Sequence, residues 1–123
     1  MADLRPKTIF CDIDGTLVEH PKTPSEIASG EHTSLKVLPG VIKQLTDWDA
    51  KGYTIILITG RKESLRSQTE KQLDAAGIFY DRLIMGIGGG PRVLINDYKP
   101  NNTTAPATAI CVSRDVGLEN INL

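Results

Sequence analysis

Five apolar runs punctuate the chain: Thr8–Ile13, Tyr53–Thr59, Arg82–Met85, Val93–Asn96 and Ala107–Val112. Each is short, rich in Ile, Val and Leu, and reads as a strand rather than a helix. In the first, Thr8–Ile13, the contiguous apolar residues mark a strand buried on both faces, as in the middle of a parallel sheet. Between the first two runs, Val41, Ile42, Leu45 and Trp48 recur at helical spacing behind Pro39-Gly40, which predicts a helix over 41–51 with Trp48 in the core. Between the second and third, residues 63–76 predict a second helix, closed by Gly77 as its C-cap. Strands alternating with helices of this length imply βαβ units with right-handed crossovers. The expected fold class is therefore α/β: a three-layer, Rossmann-like parallel sheet with helices on both faces.

Other stretches break the alternation. Residues 18–36 are polar and turn-rich and predict a flap beside the carboxyl end of the first strand. His20 and His32 lie in that loop with no partner pattern and read as solvated surface. Residues 85–91 contain Gly86, Gly88, Gly89 and Gly90 and predict a tight or mobile connection. Residues 101–106 read as a loop, and those after Arg114 as a weakly specified tail.

With 123 residues, one domain over 1–123 is expected. The 14 basic and 15 acidic residues nearly cancel, which argues against a nucleic-acid partner. No apolar run approaches the ~20 residues of a membrane span, and the first residues lack a signal-peptide core, so a cytoplasmic location is expected. Cys11 and Cys111 both fall inside apolar runs and are expected as buried small hydrophobes without a disulfide.

The chemistry concentrates where the strands end. The first delivers Asp12 and Asp14, with one residue between them, into a Gly15-Thr16 turn. Two carboxylates ending a buried strand are costly unless they meet a cation or do chemistry. The second ends on Thr59-Gly60-Arg61 and the fourth on Asn96-Asp97. In a parallel sheet all three sets share the carboxyl edge, where open α/β sheets bind ligands.

Asp12-Ile-Asp14-Gly15-Thr16, Ile56-Leu-Ile-Thr59-Gly60 and Val93-Leu-Ile-Asn96-Asp97, in that order, resemble three motifs of the haloacid dehalogenase-like superfamily of phosphatases. The resemblance spans roughly residues 8–112. It implies a phosphomonoester hydrolase in which Asp12 is the nucleophile that forms an aspartyl-phosphate and Asp14 the general acid and base. It implies Mg²⁺ held by Asp12, Asp14 through its backbone carbonyl, and Asp97. Such an ion screens the phosphate from the attacking carboxylate, and a hard site made of oxygen suits it. Phosphoryl contacts fall to Gly15, Thr16, Thr59 and Gly60.

The sequence departs from the family in places. The Lys that pairs with the nucleophile is absent, and Gly86-Ile87-Gly88 stands where small members carry Gly-Lys-Pro. Arg92, at the start of a strand ending on Asp97, would lie ~13–16 Å from the active edge. Arg61 and Lys99 are better placed, with Arg61 the favoured substitute; the amides of Gly88, Gly89 and Gly90 or a partner subunit are further sources. Asn96 stands for an acid, and Asn101 occupies a position acidic in many relatives.

The intervals between motifs leave no room for a cap domain, so a capless form is expected. An open site of this kind needs the 18–36 loop, a neighbouring subunit in a homo-oligomer, or a large substrate to close it. Small capless relatives suggest a sugar phosphate or related metabolite as substrate. A non-catalytic or signalling module, and a phosphotransferase, are the competing readings.

Overall fold

The computed structural model describes residues 1–23, Ser25 and residues 35–123. Its regular elements, in chain order, are β1 (Thr8–Asp12), α1 (Val41–Ala50), β2 (Thr54–Ile58), a 3₁₀ turn (Glu63–Leu65), α2 (Arg66–Ala75) and β3 (Arg82–Ile84). The strands form a parallel sheet in the order β1-β2-β3. Asp12 is opposite Ile58, and Ile58 is opposite Ile84, so the three carboxyl ends line up.

The register also explains the core. Ile9, Cys11, Ile55, Leu57 and Leu83 fall on one face and are buried with Val41, Leu45 and Trp48 of α1 and Leu73 of α2. Sequential parallel strands joined by right-handed crossovers place both helices on that same face. Burying each such Leu or Ile stabilises the fold by roughly 1.5–3 kcal/mol. On the other face Phe10 and Ile84 stay partly exposed. The Rossmann-like α/β architecture is as expected, and the described residues supply its sheet and one helical layer.

Both helices end alike. Gly52 and Gly77 adopt left-handed φ values of 76° and 75°. Behind them, the Tyr53 amide bonds to the Trp48 carbonyl and the Ile78 amide to the Leu73 carbonyl, each at 3.0 Å. These are Schellman terminations, and each turns the chain straight into its next strand or its approach.

Several expectations fail here, the first being burial of β1 on both faces, since its residues alternate between buried and exposed and Phe10 is 50% exposed. Val93–Asn96 and Ala107–Val112 are not strands. Val93, Leu94 and Ile95 are 83%, 60% and 91% exposed. Local bonds hold this segment as a loop: Asn96 Nδ2 donates to the Pro106 carbonyl and the Asp97 amide to Asn96 Oδ1. A short apolar run does not encode its own pairing partner. Cys111, inside the second of these runs, is consequently exposed, whereas Cys11 is buried as expected.

The tail also departs from expectation, because it is a specified strap. The Leu118 amide bonds to the Pro39 carbonyl at 2.9 Å, and Gln44 Nε2 donates to the Leu118 carbonyl, also at 2.9 Å. Leu118 is buried in the core. Gly117 makes this path possible: its φ is 94°, and an added Cβ would overlap the Pro39 backbone. Gly117→Ala should therefore cost about 1–3 kcal/mol, read as a lowered urea midpoint; an unchanged midpoint would show that the strap does not dock in solution.

Candidate active site

The loop after β1 is a tight single turn. The amides of Thr16, Leu17 and Val18 all point to the Ile13 carbonyl at 3.2, 2.9 and 3.2 Å, and the Gly15 amide bonds to the Val18 carbonyl at 2.7 Å. These four amides are therefore used within the loop rather than presented as a phosphate nest. Thr16 Oγ1 donates to Asp12 Oδ2 at 3.2 Å, so Thr16 orients the expected nucleophile.

Burial is the largest influence on Asp12 and raises its pKa, with the Asp14 charge adding to the effect. Hydrogen bonds from the Ile13 backbone and Thr16, and the positive charge of Arg92, oppose it. A carboxylate stripped of part of its hydration is a stronger nucleophile than one fully solvated. The neighbouring Cys11 thiol is pushed up to about 12 by burial, with the Asp12 charge second, and is inert as a nucleophile.

Asp14 is held by a clamp that the sequence pattern does not announce. Arg61 Nε donates to Asp14 Oδ2 at 2.9 Å and Nη2 to Oδ1 at 2.7 Å. Nη1 donates to Thr69 Oγ1 at 3.2 Å and Gln72 Oε1 at 2.8 Å on α2. Arg61 is only 5% exposed. Four protein hydrogen bonds on a guanidinium that carries five N–H donors leave it a positioning residue. One of its five N–H donors is left for the phosphoryl contact expected from the sequence. A signal was present: the inner face of α2 reads Thr69, Gln72, Leu73, too polar for a core helix unless a buried charge lies opposite.

Thr59 is buried one residue beyond β2. Its amide bonds to the Ile84 carbonyl at 3.0 Å, and its hydroxyl accepts the Arg61 amide at 3.1 Å. Over it folds the glycine-rich loop, with the Ile87 amide on the Thr59 carbonyl at 3.1 Å and the Gly86 amide on the Arg61 carbonyl at 2.7 Å. Gly60 faces that loop, since an added Cβ would lie 3.1 Å from the Ile87 carbonyl oxygen.

The same loop positions Arg92, whose Nη1 donates to the Gly88 and Gly90 carbonyls. The long reach expected for Arg92 assumed a strand over 93–96. Without that strand, its charge acts on Asp12.

Asp97 is exposed and ion-paired with Lys99, which holds its carboxyl below the ordinary range. Among the described residues, no three His, Cys, Asp or Glu side chains gather closely enough to hold a metal ion. The Mg²⁺ site implied by the resemblance is a smaller set, the Asp12 and Asp97 carboxylates with the Asp14 backbone carbonyl, and an all-oxygen set of this kind suits Mg²⁺. His20 is partly buried, its amide bonded to Asp115 Oδ1 at 2.8 Å; His32 and most of the 18–36 flap lie outside the described residues.

Residues 6–87 match the polynucleotide kinase PNKP phosphatase domain family. The chain belongs to that family. It is thus a haloacid dehalogenase-like phosphatase domain, and the match takes in all three strands and both site loops.

Two structures of a Pnkp1/Rnl/Hen1 complex, one described as an RNA repair complex, contain similar chains. Identities are 30% and 31% and TM-scores 0.57 and 0.56, over 72% and 71% of this chain. This chain spans 30% and 28% of those chains. A Vibrio cholerae protein is similar in fold, with 21% identity and a TM-score of 0.51, over 73% of this chain and 79% of its own. Against this family, near-neutral net charge does not exclude a nucleic-acid partner. Net charge speaks to long basic surfaces, not to recognition of one phosphorylated end.

No helix among the described residues is long and apolar enough to cross a membrane.

Proposed function

We propose that this PNKP-type phosphatase domain hydrolyses a terminal phosphomonoester on a polynucleotide, with Asp12 as nucleophile and Asp14 as general acid and base. The observation that carries the reading is the pairing of two differently treated carboxylates at the end of β1: Asp12 exposed and held by the Thr16 hydroxyl, Asp14 clamped by the buried Arg61. Two carboxylates in different surroundings can divide nucleophilic and acid–base work.

In the first step an Asp12 oxygen attacks phosphorus and the bond to the leaving oxygen breaks, as that oxygen takes a proton from Asp14. In the second, Asp14 removes a proton from water, which attacks the same phosphorus. The bond to Asp12 then breaks and inorganic phosphate leaves. Thr59 and Gly60 flank this position, and Arg92 offers positive charge near Asp12. Mg²⁺ belongs to this reading as the counter-charge the family resemblance implies, and Asp12, Asp97 and the Asp14 backbone carbonyl would hold it.

The family match favours a phosphorylated polynucleotide end over the sugar phosphate suggested by the sequence alone. The decisive assay offers 3′- and 5′-phosphorylated oligonucleotides, sugar phosphates and p-nitrophenyl phosphate, with and without added Mg²⁺. One oligonucleotide end should be hydrolysed with a kcat/KM at least about 10-fold above the others. Preference for a sugar phosphate would overturn the substrate assignment. A non-catalytic reading is favoured by Gly86-Ile87-Gly88, which stands where small family members carry Gly-Lys-Pro; no phosphate release from any substrate would establish it.

A further inference from the structure

The strap that follows residue 112 does more than complete the core. Its Asp115 amide donates to the Gly15 carbonyl at 2.9 Å, and Asp115 Oδ1 accepts the His20 amide at 2.8 Å. Asp115 itself adopts a left-handed φ of 64°, a conformation that a non-glycine residue keeps only when its surroundings enforce it. Two bonds thus pin the strap to the loop that carries Asp12 and Asp14. They fix the residue before them, Arg114, directly against Gly15.

A Cβ added at Gly15 would lie 3.2 Å from Arg114 Cγ and 3.8 Å from its Nε. The arginine stem therefore occupies the space that the missing Gly15 side chain leaves. Among the described residues, its guanidinium makes no hydrogen bond or ion pair. It contrasts with Arg61, whose guanidinium makes four hydrogen bonds to protein groups. It contrasts also with Arg92, whose charge acts on Asp12. An exposed arginine with its stem packed and its head open is built to receive an external anion, because the planar fork matches phosphate oxygens.

We propose that Arg114 is a substrate-binding residue, carried to the catalytic loop by the C-terminal strap, that grips an anionic group next to the phosphate being hydrolysed. In a polynucleotide that group is the adjacent phosphodiester. The assignment deepens the phosphatase reading above and rests on it for the identity of the reacting group. It also gives the strap a function: Gly117, Leu118 and Asp115 together hold a specificity residue that lies outside residues 6–87.

The test measures binding and turnover separately. Binding of a fluorescent, terminally phosphorylated oligonucleotide is followed by anisotropy on the Asp12→Asn protein, so that no hydrolysis intervenes. Adding Arg114→Ala should weaken binding about 10-fold, the loss typical of one charge-assisted contact. It should also reduce the salt dependence by about one released counterion. Arg114→Lys should recover part of the affinity. Lys43→Ala, which removes a charge from the exposed face of α1, should change little. In the otherwise native enzyme, Arg114→Ala should raise KM for the oligonucleotide while leaving kcat/KM for p-nitrophenyl phosphate within about 2-fold, since that substrate has no second anionic group.

Affinity and salt slope unchanged by Arg114→Ala would overturn the proposal, as would a parent protein that binds no oligonucleotide. An equal loss on both substrates would also overturn it, by making Arg114 part of the general fold or the reacting site. Arg114-dependent binding without phosphate release would support the proposal while refuting the catalytic reading.

Discussion

Asp12→Asn is expected to reduce phosphate release by roughly 10³–10⁶-fold, the range seen when a covalent nucleophile is removed, while leaving the protein folded and slightly more stable. The loss follows from chemistry, since an amide oxygen does not form the acyl-phosphate bond that the two-step route needs. The stability gain follows from the environment. Burial, reinforced by the Asp14 charge, raises the pKa of Asp12 in the folded state above its unfolded value. A raised carboxyl pKa means that the ionised form is disfavoured by folding. The cost is fully present above the folded pKa, shrinks as pH falls through it, and is gone below the unfolded value near ~3.9. Asparagine removes the cost and keeps an oxygen for the Thr16 hydroxyl. Urea unfolding of both proteins, compared between pH 7 and pH 3.5, should therefore show the advantage of Asp12→Asn at the higher pH and its disappearance at the lower. Retained turnover would exclude Asp12 as nucleophile. A variant less stable at pH 7 would show that the carboxylate is structurally required.

The parts of this chain that the sequence discloses are those that carry their own partner information. β1 and β2 are legible because each is an apolar run bounded by polar turns and followed by a helix with its own period. Gly52 and Gly77 mark the helix ends that they do terminate. Val93–Ile95 has the same composition but lacks such context, and the local bonds of Asn96 and Asp97 outcompete pairing with an edge strand.

The strap after Arg114 fails to show for the opposite reason. Its order comes from contacts with Pro39, Gln44 and Gly15, all more than 70 residues away in sequence, and no local pattern announces them. In the site, Asp12 and Asp14 stand out because paired acids at a strand end are costly. The direction in which Arg61 turns depends on α2, and only the polar inner face of that helix hints at it. Arg92 is misjudged because its reach was tied to a strand that does not form.

The clamp on Asp14 supplies the second large effect. Arg61→Ala is expected to destabilise the protein by about 3–5 kcal/mol, the usual cost of removing one partner from a buried ion pair. The Arg61 side chain is 1% exposed and that of Asp14 15%, so the abandoned carboxylate cannot recover full hydration. Thr69 Oγ1 and Gln72 Oε1 lose their bonds to Arg61 in the same stroke. Arg61→Lys keeps one charge but cannot span Asp14 and α2 together, and should fall between the two. A structural role alone would be satisfied by that result, so the catalytic part needs its own readout. Gln72→Leu leaves the Asp14 bonds in place but removes the shorter of the two ties between the guanidinium and α2; it should lower kcat severalfold with KM little changed, because only the aim of Asp14 is loosened. A cycle of Arg61→Ala with Asp14→Asn should show coupling of about 1–3 kcal/mol, since neutral Asn has less to lose when the guanidinium goes. Additive losses would mean that Arg61 stabilises α2 independently of Asp14, and Asp14 would then depend for its orientation on the turn after Ile13 alone.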